Sequence, residues 1–332
     1  MTRDRISADI QGQVVAMYES HPFPSYADKF RKTAEEMHLK MRLLGIPEEE
    51  YKDRQILDCG CGTGEFSCWY AAQGNQVTAV DLSAPSLENA KAYAEQYDLS
   101  DRVDFVRMSV LDLDFPDDTF DLVYSYGVLH HTPDPLRGLE NMVRVCKPGG
   151  IVVVSVYSRY SRFIHRQKQR LINRIAGDDI EKRFKWGKRL FPLTARKLKL
   201  RAHDASDAIL YDQFSIPHES LHTVDEVLGW LDKHELEYLG AFGPLRIRDY
   251  LYAASIPEYE RLETTFQGYP LTRVASGGLK GMSRLLGFRP QEDRKFQRPS
   301  RVSRLMVQMG WFLFGLRFSC FSIAGRKPTR ED

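Results

Sequence analysis

The chain has 332 residues, 42% of them hydrophobic and 28% charged, with a formal net charge of +2. That balance can bury one large core or two modest ones, which excludes a disordered or fibrous chain. The opening MTRDRISADIQGQVV carries charge where a secretory leader needs an apolar run. In the late stretch LMVQMGWFLFGLRFSCFSIAG, Arg304 and Arg317 bracket an apolar run of roughly half the ~20 residues that a membrane span requires. A cytoplasmic protein with no membrane span is therefore expected. Cys59, Cys61, Cys68, Cys146 and Cys320 are odd in number and lack paired spacing, which suits reduced thiols.

Taken in chain order, a polar and helical N-terminal segment (1–45) precedes a stretch that alternates short apolar runs with helix-length periodic segments. The runs are QILDC, QVTAVD, VDFVRM, FDLVYSYG and GIVVVSVY; SLENAKAYAEQYDL and DPLRGLENMVRVC are helix candidates between them. This pattern predicts βαβ units, a mostly parallel sheet and helices on both faces, over 46–157. Ser83 with Pro85 marks a helix start, and KPGG (147–150) predicts a helix end that turns the chain into a strand. Sheet order is not legible in these signals.

Composition shifts after 157. From Arg159 to Arg201 fifteen Lys or Arg face three Asp or Glu, which defines a basic helical insertion (158–222). TVDEVLGWLDKHELEYLGAF reads as a capped helix and strand (223–242). A second helical insertion (243–316), serving as lid or interface, and a closing strand and tail (317–332) complete the chain.

The densest chemistry lies in ILDCGCGTGEF (56–66). A structural zinc needs about four ligands, whereas Cys59-x-Cys61 offers two with no second cluster, so no metal is expected. A dinucleotide loop requires glycine at 65, which is Glu65, and a P-loop requires a terminal Gly-Lys-Ser/Thr that is absent. Asp58 ends the strand at the carboxyl edge where parallel sheets bind ligands; an acid there repels a pyrophosphate and attracts a cation. Asp81 ends the next strand, where Rossmann-like folds hold ribose hydroxyls, although an Asp at that place also serves as a helix N-cap. A ligand that is both cationic and a nucleoside satisfies both acids, and S-adenosylmethionine is one.

With these residues the chain resembles the class I S-adenosylmethionine-dependent methyltransferases, in their ubiquinone/menaquinone-methyltransferase-like small-molecule branch. ILDCGCGTGEF is similar to the family's first motif and VTAVDLS to its ribose acid. FPDDTFDLVYSYGVLHHTPDP resembles the fourth-strand segment and RVCKPGGIVVVS the turn into the fifth. The resemblance implies an α/β, Rossmann-like sheet of seven strands with helical N- and C-terminal additions. It also implies S-adenosyl-L-methionine as cofactor and S-adenosyl-L-homocysteine as product. Carried onto this chain, it puts Asp58 and Gly60 at the methionine end, with Cys61 and Gly62 also against the cofactor, Asp81 on the ribose, and Leu82 on the adenine. Ser125 and Tyr126 fall beside the sulfonium. Many relatives have an acid before VLDL; this chain has Ser109, so the Ser109 hydroxyl and the Val110 amide are the expected adenine contacts.

Acceptor-side candidates are less sharply drawn. His130 and His131 follow the fourth strand, and an imidazole there can take a proton at neutral pH, but neighbours rarely face the same way, so at most one is catalytic. AILYDQFSIPHESLHT adds Tyr211 and His218 as catalytic candidates, with Asp212, Glu219 and His222 as acceptor-site candidates, or else it is an exposed connector. YESHPFPSY, with Tyr18 and Tyr26, reads as a lid of the kind found in similar methyltransferases or as a packed loop. The basic segment reads as a solvated face, a nucleic-acid track, or a surface for an acidic partner or membrane. The expected function is methyl transfer to an O, N or C atom of a small molecule, with an RNA (tRNA) methyltransferase and a non-catalytic binding protein as alternatives; homo-oligomerisation stays open.

Overall fold

The computed structural model describes residues 3–22, 30–202, 207–259, 270–291, 294–313 and 320–329. Tyr26 and Arg317 lie outside them. Helices α1 (Arg3–Ser20) and α2 (Phe30–Leu43) lead into β1 (Gln55–Cys59), α3 (Glu65–Ala71), β2 (Gln76–Asp81), α4 (Ala84–Gln96), β3 (Val103–Arg107), β4 (Phe120–Tyr126) and α5 (Pro135–Val145). β5 (Cys146–Tyr157) is followed by four helices, α6 (Phe163–Ala176), α7 (Ile180–Leu190), α8 (Pro192–Ala202) and α9 (Ala208–Ser215). Then come α10 (Val224–Lys233), β6 (Glu237–Phe242), α11 (Ile247–Ala253), α12 (Pro270–Leu285), α13 (Arg301–Leu313) and β7 (Cys320–Arg326).

The strands form one seven-stranded sheet in the order β3-β2-β1-β4-β5-β7-β6. β1 pairs in parallel with β2 and β4, and the parallel ladder continues to β3 and β5; β7 runs antiparallel between β5 and β6. Their near-continuous apolar sequences follow from burial on both faces. Leu57 and Cys59 point to the layer containing Leu139 and Met142 of α5, Val227 and Leu231 of α10, and Trp311 of α13. Ile56 faces the opposite layer with Met37 and Met41 of α2, Trp69 and Tyr70 of α3, and Tyr252 of α11. Helices α6–α9 enclose a separate small core of Ile172, Phe184, Leu210 and Phe214.

One expected boundary shifts. The KPGG turn does not precede the fifth strand but lies inside it: β5 already pairs at Cys146 with Phe120, and the register slips before Leu122. Gly149, at φ +75, takes the left-handed conformation within this irregularity, and its amide bonds the Lys327 carbonyl at 2.9 Å. Pairing to the chain beyond β7, invisible in local sequence, holds the bulge in the ladder.

The order β2-β1-β4 creates the positioning feature. Chain direction reverses its march across the sheet between β1 and β4, so the loops after these strands part and leave a crevice at their carboxyl ends.

Candidate active site

The glycine loop is built against the neighbouring strand. Gly60 and Cys61 amides both donate to the Val80 carbonyl, at 2.7 and 3.0 Å, anchoring the loop to β2. Gly60 has φ +85 and sits so close to the next loop that a Cβ would fall 2.2 Å from Val128 Cγ2. Only glycine fits both conditions. Gly62 is also left-handed, at φ +55, but an added Cβ there meets nothing within 4 Å; its amide donates to Asp81 Oδ2 at 2.9 Å.

Asp81 is thus tied into two loops at once, because Oδ1 accepts from the Ser83 amide at 2.9 Å. A carboxylate offers about four lone-pair sites, so two bonds leave acceptor capacity on the cavity side. Burial raises the Asp81 pKa, with the Ser83, Gly62 and Leu82 amides opposing. The N-cap role is filled by Ser83, whose side chain accepts from the Ser86 amide with Pro85 in the first turn of α4.

These groups line one end of a cavity of about 640 Å³, a size typical of small-molecule sites. Gly60, Cys61, Gly62, Leu82, Ser109 and Val110 share that end with Asp81. α1 lies across it: Gln11, Val14, Val15 and Tyr18 line the space, the Gln11 amide donates to Ser109 Oγ at 2.7 Å, and Glu19 pairs with Arg107 at 2.9 Å.

The other end is aromatic and polar. Tyr126, His131, Tyr157, Asp212 and Cys320 line it with Tyr18 and Glu36. Tyr18 donates to Asp212 Oδ1 at 3.0 Å across 194 residues of sequence. Burial first, and then the Asp212 carboxylate, raise the Tyr18 pKa well above its ordinary value, so the phenol keeps its proton. Glu36 pairs at 3.1 Å with the buried Lys40, whose ammonium lies 3.9 Å from the Tyr126 ring centre. His131 Nδ1 is 3.1 Å from the His218 carbonyl. A carbonyl only accepts, so in the neutral ring the proton sits on Nδ1 and Nε2 carries the lone pair.

Residues 57–154 match the family model described as a methyltransferase domain. Among curated proteins, the chain is 35% identical over 128 residues to 27-O-demethylrifamycin SV methyltransferase of Amycolatopsis mediterranei, covering 38% of this chain and 47% of that protein. It is 41% identical over 105 residues to demethylmenaquinone methyltransferase of Clavibacter sepedonicus, covering 31% and 41%. An uncharacterized protein of Synechococcus sp. matches over 200 residues at 30% identity, covering 56% and 48%. Residues 57–154 are a methyltransferase domain. The chain spans half or less of the length of these curated relatives.

Several expected site residues of this methyltransferase domain sit behind the cavity wall rather than on it. Asp58 is buried beneath the glycine loop, where it accepts from Ser67 Oγ at 2.7 Å. Burial outweighs that bond, and Asp81 and Glu65 add to it, pushing the carboxyl up to about 7. Asp58 therefore stands behind the glycine loop and does not line the cavity. Ser125 is likewise buried, its hydroxyl donating to the Cys59 carbonyl at 3.0 Å, while Tyr126 beside it lines the cavity.

His130 is corrected as a proton acceptor. Its ring is fully buried and stacked 3.6 Å from Tyr157, neither nitrogen has a hydrogen-bond partner among the described residues, and burial, then His131 and Arg162, hold its pKa well below the usual range. Tyr211 faces the α6–α9 core, stacked at 4.1 Å on Phe184 with its hydroxyl 2.9 Å from Glu181 Oε1. His218 contributes its backbone carbonyl, not its ring. Glu219 forms a buried 2.8 Å pair with Arg162, whose guanidinium lies 3.7 Å from the Tyr157 ring centre; it braces the wall from behind. His222 bonds Ser220 at 2.8 Å and faces Glu226 at 3.4 Å, outside the cavity.

Gln11, Glu36, Tyr157 and Cys320 were not legible as site residues. Tyr157 carried a usable signal, the carboxyl end of a parallel strand beside the switch point. Gln11 and Glu36 carried none, since helix-surface polar residues are ordinary.

Proposed function

We propose that the protein transfers the methyl group of S-adenosylmethionine to an oxygen, nitrogen or carbon atom of a small-molecule acceptor. The observation that carries this reading is a single cavity with the glycine loop and Asp81 at one end and the Tyr18–Asp212 pair with His131 at the other. The names of the relatives support a small acceptor: rifamycin, menaquinone, tocopherol and ubiquinone methylation are each a small-molecule reaction. When bound, the cofactor supplies a methyl group already activated by a sulfonium. The residues present fit it, because Asp81 retains acceptor capacity for ribose hydroxyls and the absent Gly62 side chain leaves room beside the loop.

In this reading Asp81 holds the ribose, Leu82 and Val110 flank the adenine with Ser109 at its edge, and Gly60, Cys61 and Gly62 border the methionine end. Tyr126 closes the space between cofactor and acceptor. The work left to the chain is alignment and exclusion of water, which α1 serves by lying across the opening. His131 Nε2 takes the acceptor's proton, and the Tyr18 hydroxyl, polarised by Asp212, positions the acceptor.

Calorimetric titration with S-adenosylmethionine, followed by labelled-methyl transfer into fractionated host extract, tests the reading. Asp81→Asn is expected to weaken cofactor binding about ten- to a hundredfold, as loss of a charged hydrogen bond does. His131→Gln is expected to leave that affinity intact while lowering turnover by about a hundredfold or more. Absence of cofactor binding by the unmodified protein would point to the non-catalytic alternative, and label entering RNA rather than small molecules would overturn the acceptor class.

A further inference from the structure

Two helices expose apolar rows that the fold does not cover. On α6, Ile164, Leu171 and Ile175 are 65%, 45% and 43% exposed, and their spacing puts them within about 40° of one another around the helix. On α13, Val302, Leu305, Met306, Met309 and Leu313 form a second row, opposite the face on which Val307, Gln308 and Trp311 are buried. Both helices are therefore apolar on their outer side as well as their inner one. They are joined: Phe163, 47% exposed, meets Phe312, 40% exposed, edge to face at 5.4 Å. Solvent-facing apolar rows of this kind, on two helices that touch, mark an interaction surface.

The charge around the rows selects the partner. α6 contains Arg166, Lys168, Arg170 and Arg174, and α13 contains Arg301 and Arg304; neither helix has an Asp or Glu, while Arg304 pairs with Asp225 at 3.0 Å and Arg166 faces Glu219 at 3.9 Å. Arg170, Arg174 and Arg301 are exposed. A second copy docking on the same face would oppose like charges. Nucleic acid would meet the cations but leave the Ile, Leu and Met side chains without a partner. Apolar side chains bordered by arginines suit a headgroup and acyl boundary, where each cation near an anionic surface adds to the attraction.

We propose that the α6–α13 face is a peripheral docking surface for anionic lipid membranes. It lies close in the chain to the cavity: Tyr157, a lining residue, ends β5 before α6, and Cys320, another, begins β7 after α13. Among the described residues no helix is long and apolar enough to cross a membrane, so the attachment is to the surface.

Flotation of the full chain with phosphatidylcholine vesicles, with and without phosphatidylglycerol, tests this. The protein is expected to float with the anionic vesicles and not the neutral ones, less so as salt rises. Ile164→Ser combined with Leu305→Ser and Met309→Ser should lower binding more than about tenfold, and so should Arg170→Gln combined with Arg174→Gln. All five side chains are outside the cofactor cavity, so thermal unfolding and S-adenosylmethionine titration should match the unmodified protein and separate this test from that of the enzyme reading. The proposal is overturned if anionic vesicles are not bound, or if the serine variant floats like the original. It is equally overturned if the original is a dimer that the serine variant dissociates, or if the face binds tRNA and not vesicles.

Discussion

The Asp58 carboxyl is enclosed at the end of β1 with the Ser67 hydroxyl as its hydrogen-bond donor, and burial dominates its chemistry. Its folded-state pKa is pushed up to about 7 from an ordinary 3.8. Between those values the folded protein binds more protons at this site than the unfolded chain, so the contribution to stability falls as pH rises across the window and is level above it. Asp58→Asn keeps an acceptor for Ser67 but cannot ionise. Thermal melts from pH 5 to 8 should show this variant gaining stability relative to the original as pH rises toward about 7; a constant difference would mean that the carboxyl stays ionised throughout. The neighbouring histidines show how one-residue steps decide roles: both were legible as candidates, but only packing against Tyr157 buries His130 and leaves His131 lining the cavity.

At the scale of elements, local chemistry was informative wherever the partners are close in sequence. Thr223 and Glu226 form the full capping box of α10, the Thr side chain accepting from the Glu226 amide at 3.1 Å and the Glu226 carboxylate accepting from the Thr223 amide at 3.1 Å. Thr223→Ala should cost about 1 kcal/mol in urea unfolding, and the loss should be visible because α10 delivers Val227 and Leu231 to the sheet. No change in midpoint would show that Glu226, which also pairs with Arg159 at 3.3 Å, holds the helix end unaided. The strands were legible because two-sided burial makes them apolar throughout. The start of β5 was not, because Cys146 pairs with Phe120 while Gly149 and Gly150 of the KPGG stretch exchange backbone bonds with Lys327, partners that local sequence does not reveal.

Across the whole molecule, β7 has a structural load out of proportion to its length. Residues 320–326 pair along β5 from Ile151 to Tyr157 and along β6 from Glu237 to Phe242, so one short strand joins β6 to the rest of the sheet. It also contributes Phe321 and Ile323 to one core layer and Ala324 to the other. A chain lacking 320–326 is expected to show no cooperative unfolding transition by circular dichroism, since β6 and an open edge of β5 would be left with unpaired backbone groups. A native-like transition in that chain would mean that β6 closes directly onto β5.

The sequence by itself determined the α/β class and the glycine loop with an acid at the end of the next strand, because each rests on residues within one βαβ unit and on backbone rules that act locally. Tertiary structure alone decided the sheet order, the position of Asp58 behind the loop, and the aromatic, polar end of the cavity. That end brings Tyr18 to Asp212 over 194 residues and sets them beside His131 and Tyr157. Such contacts depend on how α1 and α9 pack on the finished sheet, and no periodicity or spacing within either segment encodes the distance between them.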